Sequence, residues 1–513
     1  MTIRRPLPSV LSRRHFVAGS ALAAGLPFAA RAQQDKSLLR VALGGLPSGG
    51  KGNAYHNIQT PTIIVTSAIF DGLTRLKADG TVGPGLALSW EPQGPLTWRF
   101  KLRDDVNFSN GKRFTADAVV HAVSYLAGPG PATETVRRDM VFLDSAKAID
   151  ATTVDITTKI PMPFFPRYAA ILLIVEPEAW TRMGVAAFSE NPVGTGPMVA
   201  ESWAPGRIVL RANKTSWRAP HIAGVEFLLL PDIPSRIQAL MSGRLDVVYQ
   251  LPPEEFSMVT DFGGSVVTIA DAAATAILFN FGKDRKSPLN DVRVRRAINL
   301  AVDRQTIVDS LLGGKPKLSG QPAVSAAFGY DPSITPYPFD PQKAKALLTE
   351  AGFGNGFNMT LETSGGTTNS LLVVQRVADD LAGVGIKVEI RTKPGTQYLL
   401  DFVQGRYEPD AFTLQWGSYP SLDSIQMSSI GSCRKTNPWY CNPDIEPTIT
   451  AAWSEADPDK ALALRHKVMK FYHDEAPSLF MYDNVTFLGL SPRTSGYTNV
   501  FGFIPYEDVR LKS

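Results

Sequence analysis

FNMTLET (357–363), SLLVVQRVADDLAGVG (370–385), IKVEIRT (386–392), TQYLLDFVQG (396–405) and AFTLQW (411–416) follow one another in a single run of the chain. The first, third and fifth segments are short, β-branched or aromatic, and alternate in polarity as strands do. The second and fourth place apolar residues at helical spacing. A strand–helix–strand–helix–strand series is the signature of an open, largely parallel α/β sheet. Upstream, VEFLLL (225–230), SRIQALMSG (235–243) and LDVVYQ (245–250) make a shorter unit of the same kind. Two such blocks predict two open-sheet lobes. Residues 70–190, rich in strand and turn signals, predict a third unit.

Helix boundaries announce themselves through caps. Asp340-Pro341 opens DPQKAKALLTEAGF (340–353), which stops at Gly352, and Asp457-Pro458 opens a helix running towards His473. Both place Asp at the N-cap and Pro at the first helical position. Asp291 precedes VRVRRAINLAVDRQTIVDSLLGG (292–314), whose Val294, Ala297, Ile298, Ala301, Ile307, Val308 and Leu311 predict one buried helical face. Thr115 is the expected cap of ADAVVHAVSYL (116–126).

Open sheets bind ligands beyond the carboxyl ends of their strands. That rule nominates two places: the end of LRVALG (39–44), and the end of AFTLQ, where the chain reads WGSYPSLDS (416–424). The first lies in VALGGLPSGGKGNAYH (41–56), which satisfies the start of a phosphate-binding loop through Gly45, Gly50 and Lys51. The match fails at Gly52, where a P-loop needs Ser or Thr for Mg²⁺. The stretch reads better as an opening strand and the loop leaving it.

The N-terminus carries Arg13-Arg14, an apolar run from Phe16 to Ala30, and Ala30-Arg31-Ala32. The run is shorter than the ~20 residues of a membrane span and has the layout of a cleavable export signal, residues 1–32, cut near Ala32. Ser12-Arg13-Arg14-His15-Phe16-Val17 resembles the twin-arginine motif. The whole chain carries +4, but these 32 residues hold five arginines and no acid. Lys plus Arg fall from 52 to 47 against 48 Asp plus Glu, so the mature chain sits near −1. No basic surface survives for a nucleic acid, and Arg293, Arg295 and Arg296 read as the solvated side of a helix. The two cysteines, Cys433 and Cys441, lie close together in GSCRKTNPWYCNP (431–443). In an oxidising compartment they are expected to form a disulfide.

The stretch AIFDGLTRLKADGTVGPGLALSWEPQGPLTWRFKLRDDVNFSNGKRFTADAVVHAVSYL (68–126) resembles the hallmark region of the dipeptide/oligopeptide/nickel-type solute-binding proteins of ABC importers. The resemblance continues through NPVGTGPMVAESWAPGRIVLRAN (191–213), RIQALMSGRLDVV (236–248) and ILFNFGKDRKSPLNDVRVRRAINLAVDR (277–304). It implies a type II periplasmic-binding-protein architecture, with two α/β lobes and an extra domain. Lobe I would comprise 36–69, 192–280 and 484–513, the extra domain 70–191, and lobe II 281–483. Hinges would sit near Val193–Pro197 and Asn280–Gly282. A monomer in the periplasm would close over a peptide-like small solute and deliver it to membrane permease subunits driven by a cytoplasmic ATPase. No cofactor, resident metal or catalytic group is implied.

In peptide-binding relatives an aspartate in the strand-end loop neutralises the solute ammonium. Here the loop holds Trp416, Ser418 and Tyr419, with Asp423 as the nearby acid. These four, with Tyr55 and His56 beyond the first strand, are the expected solute contacts. The departure at the usual acidic position leaves opines, glycosides and chelated metal such as nickel as alternatives to a peptide. A secreted hydrolase finds no support, because G-x-S-x-G and H-E-x-x-H are both missing.

Overall fold

Ten strands form one mixed sheet in the order Ile386–Thr392, Phe357–Thr363, Ala411–Gly417, Ser265–Phe279, Ser478–Leu490, Val247–Tyr249, Leu38–Leu43, Gly224–Leu229, Arg207–Ala212 and Met198–Ala204. They belong to a computed structural model that describes residues 37–47, 51–56, 60–131, 133–281, 287–364, 369–429, 431–433 and 437–512. The expected leader and its cleavage site near Ala32 lie outside the described residues, as do Gly50 and Gly282.

The two α/β blocks are halves of this sheet rather than separate sheets. Ser265–Phe279 and Ser478–Leu490 are long enough to belong to both, pairing antiparallel from Ser265 against Leu490 to Leu278 against Ser478. At one end, Ser478–Leu490 pairs with Val247–Tyr249. At the other, Ser265–Phe279 pairs with Ala411–Gly417. Midway the ladder breaks: Ala270 opposes Val485, but the next pair is Ala274 with Asp483. A break of this kind bends and twists the strands locally.

Leu38–Leu43 is buried at every position, as a central strand covered on both faces must be. Its one charge, Arg40, keeps its backbone N–H on Asp246 at 2.9 Å and its guanidinium near Glu226. The segment from 70 to 191 contributes a separate antiparallel sheet, ordered Ala87–Pro92, Thr97–Leu102, Thr153–Thr158 and Leu143–Asp150. Phe100 and Phe165 pack edge to face beneath it. Gly194 and Gly196 in VGTGP are there because of close approach: a Cβ would stand 2.1 Å from the Ile69 carbonyl at the first and 2.5 Å from the Ala68 carbonyl at the second. Between them Thr195 donates to the buried Asp71 at 2.8 Å, and Arg218 donates to the same carboxylate at 2.7 Å. This crossing is tightly bonded.

The aspartate caps behave as expected: Asp340, Asp457 and Asp291 each accept a backbone N–H of their first turn. Thr115 stands at the N-cap position of Ala116–Ala127 without a side-chain bond. Two expectations need correction. The helix expected over 292–314 is two, Val292–Ala301 and Arg304–Leu311, because Val302 is extended and Asp303 caps a new start through Thr306. Of the arginine cluster only Arg293 is solvated. Arg295 is buried against Glu475 at 3.1 Å, and Arg296 donates to the Asp474 carbonyl. His473, near the end of the helix Pro458–Glu475, stacks on Tyr337 and shares a hydrogen bond with the Gly320 carbonyl at 2.7 Å.

Candidate functional site

Strand direction locates the site. Leu38–Leu43 runs parallel to both Gly224–Leu229 and Val247–Tyr249. All three share the direction of Ser265–Phe279, since that strand and Val247–Tyr249 are both antiparallel to Ser478–Leu490. Ala411–Gly417 runs the opposite way, with Phe357–Thr363 and Ile386–Thr392 parallel to it. The carboxyl ends of the two halves therefore face each other. Tyr249, through Leu488, stands level with Val267, whereas Gly417 stands level with Ala273. On this strand Thr268 to Ala272 bridge the interval, about 20 Å for six steps at ~3.3 Å per residue. Both halves offer their carboxyl ends to one cleft.

The ladder break lies on its floor. Asp271 accepts from Asn484 at 2.8 Å and from Thr486 at 3.2 Å on the other crossing strand. Burial outweighs these two donors and pushes the Asp271 carboxyl up to about 6. Burial likewise raises Asp483, whose carboxylate accepts the Ser325 N–H at 3.0 Å.

On the lobe II wall, the predicted loop begins where Ala411–Gly417 ends. Ser418 donates its backbone N–H to the Ala272 carbonyl at 2.6 Å, tying the loop to the crossing strand. Trp416 points inward, fully buried against Trp439 and Tyr472, with its indole N–H on Ser478 at 3.2 Å. Asp423 is equally enclosed. Arg465 grips it with two bonds of 2.7 Å while lying over the rings of Phe164 and Phe328. Arg167, reaching over from the inserted segment, donates to the Gly80 and Ser421 carbonyls at 2.9 and 3.2 Å. Four polar groups of the loop are left over. The hydroxyls of Ser418, Tyr419, Ser421 and Ser424 are out of solvent and find no hydrogen-bond partner among the described residues.

Tyr419 packs against two cores, the one shared by lobe I and the insertion and the one beneath its own loop. Burial and then the charge of Asp139 push its phenol well above the usual range. Asp139 carried no sequence signal. It ends the short helix Thr135–Asp139, its side chain is only 20% exposed, and Arg138 stands 3.9 Å from its carboxylate. Burial raises this carboxyl too.

The lobe I wall places Tyr55 and His56 differently. Tyr55 is fully buried, stacked on Tyr125 and edge-on to Trp180, with its hydroxyl unpartnered among the described residues. Burial, Tyr125 and Glu134 push its phenol far up. His56 is half-buried, and its carbonyl accepts the Thr135 N–H at 2.9 Å. Lys51 is engaged by Glu190. Cys433 and Cys441 form a disulfide behind the lobe II loop. Among the described residues, no three His, Cys, Asp or Glu side chains gather as metal ligands would. No described helix is long and apolar enough to cross a membrane.

The model of bacterial extracellular solute-binding proteins, family 5 middle, matches residues 81–438. The heme-binding protein A of Haemophilus influenzae is 26% identical over 486 residues, covering 86% of this chain and 87% of its own. The nickel-binding periplasmic protein of Escherichia coli is also 26% identical, covering 88% and 91%. Among solved structures, a Helicobacter pylori ABC-transporter-associated periplasmic binding protein, in complex with the peptide STSA, superposes with a TM-score of 0.74 at 22% identity, covering 93% and 98%.

Proposed function

The chain belongs to the family 5 bacterial extracellular solute-binding proteins, and from that premise we propose that it captures a peptide or related small polar solute for an ABC importer by closing two lobes over it. The observation that carries this reading is the facing of the carboxyl ends across a gap spanned by two continuous strands. Two bridging strands and a broken ladder permit rotation of one half against the other without breaking either core. A solute that touches both walls stabilises the closed arrangement by its differential affinity for it. No bond is made or broken, so the protein acts as a carrier rather than an enzyme.

Within the cleft, the unpartnered hydroxyls of Ser418 and Tyr419 are the contacts on the lobe II wall, and Asp139, whose charge raises the Tyr419 phenol, is the acid that would meet a cationic group of the solute. Tyr55 and His56 stand on the opposite wall. Trp416 and Asp423 serve this site from behind, holding the loop in place through Ser478 and Arg465. A leader cleaved near Ala32 delivers the mature chain to the periplasm through the twin-arginine route. There it works as a monomer, handing the solute to permease subunits coupled to a cytoplasmic ATPase.

The test is a thermal-shift screen of the mature chain against dipeptides, longer peptides, opines, glycosides and metal chelates, followed by small-angle scattering on each hit. A solute at a hundred times its dissociation constant stabilises by about 2.7 kcal/mol. Closure predicts a smaller radius of gyration with that solute bound. A stabilising solute that leaves the radius unchanged, or one that is turned over, would overturn the reading.

A further inference from the structure

Three buried arginines, Arg218, Arg295 and Arg465, are each matched by a carboxylate: Asp71, Glu475 and Asp423. Arg236 is not. It lies on the helix Ile233–Met241 that follows the strand Gly224–Leu229, and only 2% of it is exposed. Its Nη1 donates to the Tyr249 carbonyl at 2.6 Å and its Nη2 to the Pro231 carbonyl at 3.4 Å. Its Nε has no partner among the described residues. The nearest acid in sequence, Asp232, is committed to the Ser235 N–H and hydroxyl as the cap of the same helix. Arg304 also lacks a carboxylate, but its bond to Phe480 places it inside lobe II, beyond the level of the cleft.

What lies over Arg236 is a glycine. Gly44 is the first residue after the strand Leu38–Leu43 and is exposed. A Cβ on it would stand 3.7 and 4.0 Å from the two terminal nitrogens of Arg236, and 3.4 Å from Gln250 Oε1. Gln250 is the exposed residue just past Val247–Tyr249, and its φ of 59° is one that few side-chain-bearing residues adopt. Two exposed strand ends thus frame a shallow hollow where Gly44 lacks a side chain, with the Arg236 guanidinium beneath it and almost wholly out of solvent. A guanidinium withdrawn from water without a counter-charge is costly, and two carbonyls offset only part of that. An oxyanion in the hollow would supply a charge-assisted bond of the kind this planar group makes best.

We infer that the hollow over Gly44 is an oxyanion site in which Arg236 receives a carboxylate of the solute, so that the protein takes solutes bearing an acidic group. The inference rests on the proposed function only in assigning the oxyanion to the solute. Gly44 lies outside the left-handed region, and its hypothetical Cβ meets only ordinary contacts. Gly44→Ala therefore fills the hollow without disturbing the fold.

The experiment titrates the mature chain, Gly44→Ala and Arg236→Gln with succinate and, separately, with inorganic phosphate. Ionic strength is held constant with chloride, and the melting temperature is read. The expected result is a saturable rise with succinate that is lost in both variants, while the unliganded melting temperature of Gly44→Ala matches that of the parent. Should Arg236→Gln fail to fold, the response of Gly44→Ala alone decides between the outcomes. A rise retained in Gly44→Ala, a response to phosphate alone, or no saturable response would overturn the site. Lobe closure on an uncharged solute would do the same while leaving the solute-binding reading intact.

Discussion

Replacing Asp423 by Asn separates two roles for the strand-end loop. In the structure its carboxylate makes two bonds of 2.7 Å to Arg465, and the two side chains are 2% and 1% exposed. Arg465 spends its Nη1 donors on the carbonyls of Ala452 and Ala461. A neutral amide in place of the carboxylate would therefore leave a guanidinium in the interior with no charge to balance it, which costs about 3–5 kcal/mol. At ~2.1 cal/mol/K per residue, a chain of roughly 480 residues has an unfolding entropy near 1 kcal/mol/K, so the melting temperature should fall by about 3–5 °C if it unfolds as one unit. Scanning calorimetry of both proteins reads this directly. Arg465→Met in the Asp423→Asn background should recover part of the loss, because it removes the orphaned charge. An Asp423→Asn protein that melts within about 0.5 °C of the parent, yet no longer responds to solutes that stabilise the parent, would refute the reasoning and make Asp423 a solute anchor.

Two further outcomes follow from the cleft floor and the loop behind it. The Asp271 carboxyl is raised from 3.8 to about 6 by burial, so the folded state holds its proton more tightly than the unfolded state does. Its contribution is fully present below pH ~4 and is lost as pH rises through about 6, amounting to about 3 kcal/mol at ~1.4 kcal/mol per unit. Asp271→Asn should accordingly lose less stability than the parent between pH 4 and 7, and parallel melting curves across that range would contradict it. The disulfide joins residues eight apart in sequence, and opening so short a loop costs about 2–3 kcal/mol on the chain-entropy model. The double variant Cys433→Ser, Cys441→Ser should unfold at lower urea, and an unchanged midpoint would show that the loop is held by its packing alone.

Which parts of this site can be read from the amino-acid order follows from where each interaction finds its partner. The strands Leu38–Leu43 and Ala411–Gly417 and the aspartate caps are written locally, in side-chain periodicity and in residues three apart, so the strand ends flanking the cleft are legible. The crossing strand is legible only at its AILF end. SVVTIADAAATAILF carries an aspartate and five alanines, poor strand formers, and it is extended because Ser478–Leu490 and Ala411–Gly417 pair with it. The same distance decides the fate of single side chains. Trp416 and Asp423 attract notice as chemically strong groups at a strand end, yet Ser478 lies 62 residues from the first and Arg465 42 residues from the second. Strong groups are the ones that folding must satisfy, since a buried indole or carboxylate left unpaired is costly. Chemical strength at a promising position therefore selects for residues the protein consumes itself. Ser418, Tyr419 and the Nε of Arg236 are weaker signals in the sequence, but they belong to the buried polar groups that find no partner among the described residues. For a protein whose work is to enclose something, an unmet hydrogen bond at the meeting of two sets of strand ends is the better guide to what it holds.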